Sequence, residues 1–315
     1  MTEIYFAPLE DITGYIFRNL HSRMFKGVDR YYAPFISAVE PERKIKRREL
    51  EDTSPENNRE LALIPQILTN NAGDFINTAE ILINKGYKEI NFNLGCPSKD
   101  VVKRKKGSGF LSVPDKLDRF FEDVFNGMEK RGYGSIRISV KTRTGRSDTG
   151  NLDRLIEIFN RYPVSEVTVH PRLGKDFYKG SIDMEAFGRM YDALHHPVIF
   201  NGDIKSISDI EGIVQKYPDL RAVMIGRGMI SNPALAREYK GGEPLSLAQV
   251  KDFTNELYQS YKQKLHAEIY AVNKMKELWG WIKENPLFEG KQREIRDVRR
   301  AGSVAEYESA VRMIK

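Results

Sequence analysis

Eight short apolar runs recur along the first three-quarters of the chain, and this recurrence constrains the fold more than any other feature. The runs are IYFAP (4–8), PFISAV (34–39), LIPQIL (63–68), EINFNL (89–94), IRISVKT (136–142), EVTVH (166–170), PVIFNGD (197–203) and AVMIGRG (222–228). Their length and β-branched or aromatic content read as strands. Segments with helical spacing lie between them. NAGDFINTAEILINKG stops at Gly86 and VPDKLDRFFEDVFNGMEKRG stops at Gly132, where glycine accepts the left-handed conformation that ends a helix. SISDIEGIVQKYPD opens on serines suited to an N-cap. Eight βα units in roughly 235 residues predict an α/β fold, a parallel (β/α)8 TIM barrel rather than a doubly wound open sheet. The second unit is the least regular, and its charged residues 40–60 predict a long loop. From about Lys240 the strands disappear. SLAQVKDFTNELYQSYKQKL, HAEIYAVNKMKELWGWIKEN and SVAEYESAVRMI predict a small C-terminal all-α bundle, so the expected domains are 1–240 and 241–315.

Composition removes several function classes. The single cysteine, Cys96, excludes an internal disulfide framework and a cysteine-based zinc site. The five histidines (21, 170, 195, 196 and 266) have no metal-binding spacing, so no metal is expected. No GxGxxG follows the first strand, which argues against a Rossmann cofactor site. There is no uncharged stretch near membrane-spanning length, and MTEIYFAPLEDITG lacks the basic start and long apolar run of a signal peptide. A reducing cytoplasm and no membrane contact are expected. The net charge is +6, and basic residues cluster at 43–48 (RKIKRR), 103–106 (KRKK) and 299–302 (RRAG). Three such clusters favour a polyanionic partner over dispersed solubility charge.

In such barrels chemistry collects at the carboxyl ends of the strands. Those ends carry Pro8, Leu9 and Glu10; Gln66; Asn93 with Cys96; Lys141 with Arg143; His170 with Arg172; Asn201, Gly202 and Asp203; and Gly226 with Arg227. The last two groups, NGDI and IGRG, supply glycines and an arginine where barrels commonly hold phosphate. Two roles are open to Lys141: a Schiff-base nucleophile, or a positive charge against an electron-rich cofactor ring. His170 suits contact with an anion or a base.

Taken together, these segments resemble the tRNA-dihydrouridine synthase family along nearly the whole chain. FAPLEDITGYIFRNL is similar to the family's opening Ala-Pro-Met motif and the helix after it. NFNLGCPSKDVVKRKKGSGFL resembles its Asn-x-Gly-Cys-Pro signature and is the most specific match. VKTRTG, VHPR, NGDI and VMIGRGMISNP resemble the later signature segments, and VNKMKELWGWI is a looser match to a helix of the family's RNA-binding bundle. The resemblance implies tightly bound FMN reduced by NADPH, tRNA bound at its D-loop and elbow, and reduction of a uridine to 5,6-dihydrouridine. It places Pro8, Leu9, Glu10, Gln66, Lys141 and His170 at the flavin. Asn201, Gly202, Asp203, Gly226 and Arg227 would hold its phosphate end. Asn93, Arg143 and Arg172 would lie near the flavin or uracil, Lys103, Arg104, Lys105 and Lys106 on the RNA, and Cys96 would be the proton donor. Leu9 stands where the family has methionine, and Glu10 is similar to the short bacterial C-type branch, which acts on uridine 16. A monomer is expected.

A cysteine that donates a proton has to remain a thiol, and nearby lysines would favour thiolate. The lysines at 103–106 are therefore expected to point away from the sulfur, toward RNA phosphate, and a mobile loop holding Cys96, hinged at Gly107 and Gly109, is expected to swing the thiol in with substrate. Three other readings compete: an FMN barrel acting on a small pyrimidine, a Schiff-base lyase using Lys141, and a non-catalytic RNA-binding protein.

Overall fold

A computed structural model describes residues 1–38 and 45–314. Ten strand segments pair in parallel: β1 (Glu3–Phe6), β2 (Arg30–Tyr32), β3 (Ile36–Ser37), β4 (Leu63–Ile64), β5 (Gln66–Leu68), β6 (Glu89–Leu94), β7 (Arg137–Gly145), β8 (Val167–Leu173), β9 (Val198–Phe200) and β10 (Ala222–Ile225). Their order is β3-β5-β6-β7-β8-β9-β10-β1-β2-β4. The ladder returns on itself through chain continuity. β2 and β3 are one stave interrupted at Pro34, and β4 and β5 are one stave interrupted at Pro65. Proline has no N–H for a ladder, so it breaks a strand where it stands. The neighbouring amides keep the staves together: Ala33 N–H donates to the Ile64 carbonyl (3.0 Å) and Ala38 N–H to that of Leu68 (3.3 Å). Ten segments thus form the eight staves of the expected barrel. The second stave begins at Arg30 rather than at residue 34. RYY shows no apolar run because Arg30 and Tyr32 face inward and only Tyr31 joins the outer core.

The helices are α1 (Tyr15–Phe25), α2 (Arg47–Asp52), α3 (Ala72–Asn84), α4 (Lys99–Lys103), α5 (Pro114–Lys130), α6 (Leu152–Arg161), α7 (Met184–Ala193) and α8 (Ile207–Lys216). They continue with α9 (Arg227–Ser231), α10 (Leu235–Tyr239), α11 (Leu247–Lys264), α12 (Glu268–Ile282), α13 (Gln292–Arg300) and α14 (Val304–Arg312). Strand side chains alternate with period two. Along β6, Phe92 points out, stacks on Phe120 of α5 (4.7 Å) and meets Phe75 of α3 edge-on. The main apolar core is this layer between staves and helices. Among the described residues a second, small apolar cluster, including Tyr5, Tyr32, Ile64 and Met224, is formed by inward positions of the staves.

The segment read as a charged loop is partly ordered by a buried arginine. Arg18 of α1 is fully buried. It donates to the Thr13 carbonyl (2.7 Å), Asp52 Oδ2 (2.9 Å), the Asp52 carbonyl (2.7 Å) and Asn58 Oδ1 (2.9 Å). Asp52 Oδ1 also accepts from the Tyr15 amide at the start of α1. These bonds turn residues 45–60 into α2 and a short 3-10 turn at Pro55–Asn57. Residues 39–44, with the first part of RKIKRR, lie outside the described residues.

The C-terminal helices pack as expected of a bundle, around the buried Trp279. α11 reaches back to the beginning of the chain, where Phe253 sits edge-on to Phe17 (5.5 Å) and Phe25 (5.1 Å) of α1. Ion pairs Lys264–Glu51 and Lys205–Glu284 tie the bundle to the strand-end loops.

The amino-end layer of the barrel is ionic. Arg30 bridges Glu89 and Glu166, and Tyr32 donates to Glu166 (2.7 Å). Burial pushes the Glu166 carboxyl above its usual range; the Tyr32 bond opposes this and the Glu89 charge adds to it. A carboxyl raised in the folded state contributes stability that is complete below its unfolded pKa and is lost as pH rises through the folded one. Urea unfolding of Glu166→Gln is therefore expected to gain stability relative to the parent from about pH 4.5 upward. Parallel pH curves for the two proteins would contradict this account of the layer.

Candidate active site

A cavity of about 350 Å3 opens at the carboxyl ends of the staves, within the size range of small-molecule sites. A larger groove of about 620 Å3 between α1 and α11 has no strand-end residue and mixed charge, so the barrel mouth is the candidate site. Its wall carries Pro8, Leu9 and Glu10 after β1, Gln66 of β5, Asn93 and Cys96 at the end of β6, and Lys141 and Arg143 of β7. It continues with His170 of β8, Asn201, Gly202 and Asp203 after β9, and Gly226 and Arg227 after β10. Every residue the resemblance places at a flavin is on this wall.

Other predicted residues stand elsewhere. Arg172 is buried behind the wall, donating to Asp203 Oδ1 (2.9 Å) and the Gly180 carbonyl (2.6 Å). Lys103, Arg104 and Lys105 end α4 and the turn after it, exposed and off the wall, while Lys106 is half-buried. Sequence reading missed Phe35 between β2 and β3, and Glu277 and Trp281 of α12, all of which line the cavity. The helix VNKMKELWGWI carries apolar residues at ordinary core spacing, and nothing local marks which turn reaches the barrel. Tyr178 also lines the mouth. Its ring lies between Arg143 (5.4 Å) and Arg227 (5.2 Å) and stacks on His170.

Lys141 stands on the wall with a single side-chain partner among the described residues. Its Nζ donates to Asn201 Oδ1 (2.6 Å), and Asn201 Nδ2 donates to the Met224 carbonyl (2.8 Å). Burial and then the Arg143 charge push the Lys141 amine down to about 7. An ammonium has three donors, and among the described residues Asn201 Oδ1 is the side-chain acceptor that holds this one. Burial also pushes His170 well down, helped by Arg143, Lys141 and Arg172, so the ring is neutral. Its Nε2 faces Arg172 Nη1 at 3.2 Å. Arginine only donates, so Nε2 is the acceptor and Nδ1 carries the proton. Asp203 is opposed by burial, yet Arg172 and Arg227 hold its carboxyl below the usual range.

The Cys96 loop is fixed from three sides. Asn93 Oδ1 accepts from the amides of Gly95 (3.0 Å) and Cys96 (2.9 Å). Arg143, 1% exposed, donates from Nε to the Gly95 carbonyl (2.8 Å) and from Nη1 to that of Leu173 (2.9 Å). The amide and hydroxyl of Ser108 both donate to the Cys96 carbonyl (3.0 and 3.1 Å). Gly107 and Gly109, expected as hinges, are buried close-approach positions instead. Gly107 has φ +54°, and a Cβ there would meet the Cys96 carbonyl oxygen at 2.7 Å. Burial pushes the thiol upward; the Ser98 amide opposes this, Glu10 adds to it, and Arg143 and Lys141 oppose it. The largest effects come from these groups, and none of Lys103, Arg104, Lys105 and Lys106 is among them.

Among the described residues no cluster of three or more His, Cys, Asp or Glu could hold a metal, and no helix is long and apolar enough to cross a membrane. The family model described as dihydrouridine synthase matches residues 5–312. The chain belongs to the dihydrouridine synthase family. Relatives include tRNA-dihydrouridine synthase B of Proteus vulgaris, 28% identical over 217 residues, covering 66% of this chain and 64% of that protein. Another is the probable tRNA-dihydrouridine synthase of Aquifex aeolicus, 28% identical over 240 residues, covering 76% and 72%. In Pasteurella multocida tRNA-dihydrouridine synthase B the matched stretch spans 46% of the relative and is 29% identical, so the chain spans about half to two-thirds of the first such relatives. Solved structures of morphinone reductase (TM-score 0.54, 11% identity, 78% of this chain and 88% of that one) and of the old yellow enzyme from Trypanosoma cruzi (TM-score 0.55, 10% identity, 78% and 89%) share the barrel fold.

The raised thiol gives a direct measurement. Alkylation of Cys96 by iodoacetamide is expected to stay slow at neutral pH and to rise with a midpoint above about 9, because thiolate is the reactive form. Glu10→Gln lowers that midpoint by removing a negative charge. A midpoint near or below 7 would show that the site stores a thiolate.

Proposed function

We propose that the protein is a tRNA-dihydrouridine synthase that reduces the C5=C6 bond of a D-loop uridine in tRNA, using FMN in the barrel mouth and NADPH as reductant. The carrying observation is the placing, in one cavity, of the Cys96 thiol and the Lys141 amine, which Asn201 Oδ1 accepts from; burial, which raises the thiol, favours its protonated form. The residues fit a flavin. Lys141 offers donors to an electron-rich ring, Gln66 presents an amide on the same wall, and Arg227 stands at the rim beside Gly202 and Gly226 for the phosphate end. When bound and reduced, FMN supplies a hydride for C6 of uracil. Cys96 delivers its Sγ proton to C5, and the thiolate left behind is eased by Lys141 and Arg143, the two cations that favour its charged form. Neutral His170 stays a hydrogen-bonding group and does not compete as an acid.

RNA has to present the uridine outside its stack before the ring can be reached. Exposed Lys103, Arg104 and Lys105 beside the mouth, and the exposed Arg293, Arg296, Arg299 and Arg300 of α13, offer backbone contacts on both the 1–240 and 241–315 parts. Uridine 16 is the position to examine first, on the similarity of Glu10 to the C-type branch. The protein acts as a cytoplasmic monomer in this reading.

Purified protein is expected to absorb at about 450 nm, and tRNA from cells lacking the gene to lose one D-loop dihydrouridine. Cys96→Ala should bind flavin and oxidise NADPH but form dihydrouridine about 100-fold more slowly or worse. Unchanged tRNA in the deletion strain sinks the reading, and reduction of free pyrimidines instead would favour the small-molecule rival. FMN affinity carries a second signature. If Lys141 is charged beside the ring, affinity is flat below about pH 7 and falls above it, as the free amine loses its proton. Lys141→Gln flattens that slope in a fluorescence titration, and a parent protein without the slope contradicts the placement.

A further inference from the structure

A chain of four side chains runs from the cavity wall into the barrel interior. Asn93 Nδ2 donates to Gln66 Oε1 (2.6 Å), Gln66 Nε2 donates to Asn91 Oδ1 (2.7 Å), and Asn91 Nδ2 donates to Ser139 Oγ (3.0 Å). Parallel register makes this possible, setting Gln66 beside Asn91 and Asn91 beside Ser139. Asn91, Gln66 and Ser139 are almost wholly excluded from solvent. Gln66 and Asn93 are on the cavity wall, whereas Asn91 and Ser139 are not.

The direction of the chain is dictated at one end. The amides of Gly95 and Cys96 can only donate, so the Asn93 oxygen has to face them. Its nitrogen then faces Gln66, which has to offer oxygen, and the Gln66 nitrogen then requires oxygen from Asn91. No link can be reversed without setting donor against donor. The same chain therefore fixes the backbone that carries Cys96 and the end of the Gln66 amide that meets each neighbour.

We infer that Asn91, which is not on the wall of the barrel-mouth cavity, is a positioning residue that supports the Gln66 amide and, through Asn93, the Cys96 loop. With Asn91→Leu, Gln66 Nε2 loses its acceptor, so the Gln66 amide is held by Asn93 alone and its support of Asn93, and through Asn93 of the Cys96 loop, is loosened. Asn91→Asp keeps an oxygen toward Gln66, and its other oxygen can accept from the Ser139 hydroxyl, so the direction survives.

The kinetic arm rests on the synthase reading, and two other readouts do not. Asn91→Leu, and the smaller Asn91→Ser in case leucine impairs folding, are expected to change the Cys96 alkylation rate and to shift the absorption band of bound flavin. Dihydrouridine formation per bound flavin should fall about tenfold, with KM for tRNA unchanged. Asn91→Asp should recover most of each. Unaltered alkylation and flavin band in Asn91→Ser would overturn the inference, as would an Asn91→Asp protein as impaired as Asn91→Leu. A parent protein that makes no dihydrouridine defeats the synthase reading alone, because alkylation and the flavin band still test the chain.

Discussion

The structure depends on an inversion of the usual burial pattern. The inward positions of the staves are largely polar or charged, and the apolar layer lies between staves and helices. An unpaired buried amide costs about 1–3 kcal/mol, so a polar interior is tolerable only when its groups answer one another. Register supplies that condition. Parallel pairing brings inward residues level, with Glu89 beside Arg137, Asn91 beside Ser139 and Asn93 beside Lys141. The interior is thus layered: an ionic amino end, a middle of Tyr5, Tyr32 and the amides, and a carboxyl end rich in cations.

The same rule organises the mouth. Arg143 joins the Cys96 loop to the end of β8, and Arg172 joins the β8 loop to Asp203 after β9, where Arg227 arrives from the β10 side. Gly228 permits the last approach, since a Cβ there would meet the Ile204 carbonyl at 2.0 Å. Two arginines read from sequence as groups facing substrate are thereby occupied in joining loops. A guanidinium has several donors in a rigid fork, so it can bond two carbonyls of different loops while its face lies on an aromatic ring, as Arg143 does with Tyr178.

Much of this was legible in the chain because the barrel places function at strand ends, and strand ends are visible as polar residues closing apolar runs. EINFNL shows why legibility stops there. Its alternation is plain, but a sequence does not say that Asn91 answers Gln66, since that follows from the register of a stave more than twenty residues away. The broken second stave was harder still: RYY carries no apolar run, and Arg30 is inward only because Glu89 and Glu166 are there. Arg18 and Asp52 read as surface charges in a charged region, and their partnership depends on a fold-back that no local pattern encodes. Glu277 and Trp281 belong to an ordinary amphipathic helix until α12 is laid against the mouth.

That placement of α12 has a consequence for the order in which the molecule is made. The barrel closes when β10 pairs with β1, about fifty residues before Glu277 and Trp281 are added. During synthesis from the amino end, a closed barrel can precede a complete cavity, and α1 waits for Phe253 to cover its outer face. The wall of the site is finished by a helix that follows the last stave, so a nascent chain can have its eight staves in place and still present an open, unroofed mouth.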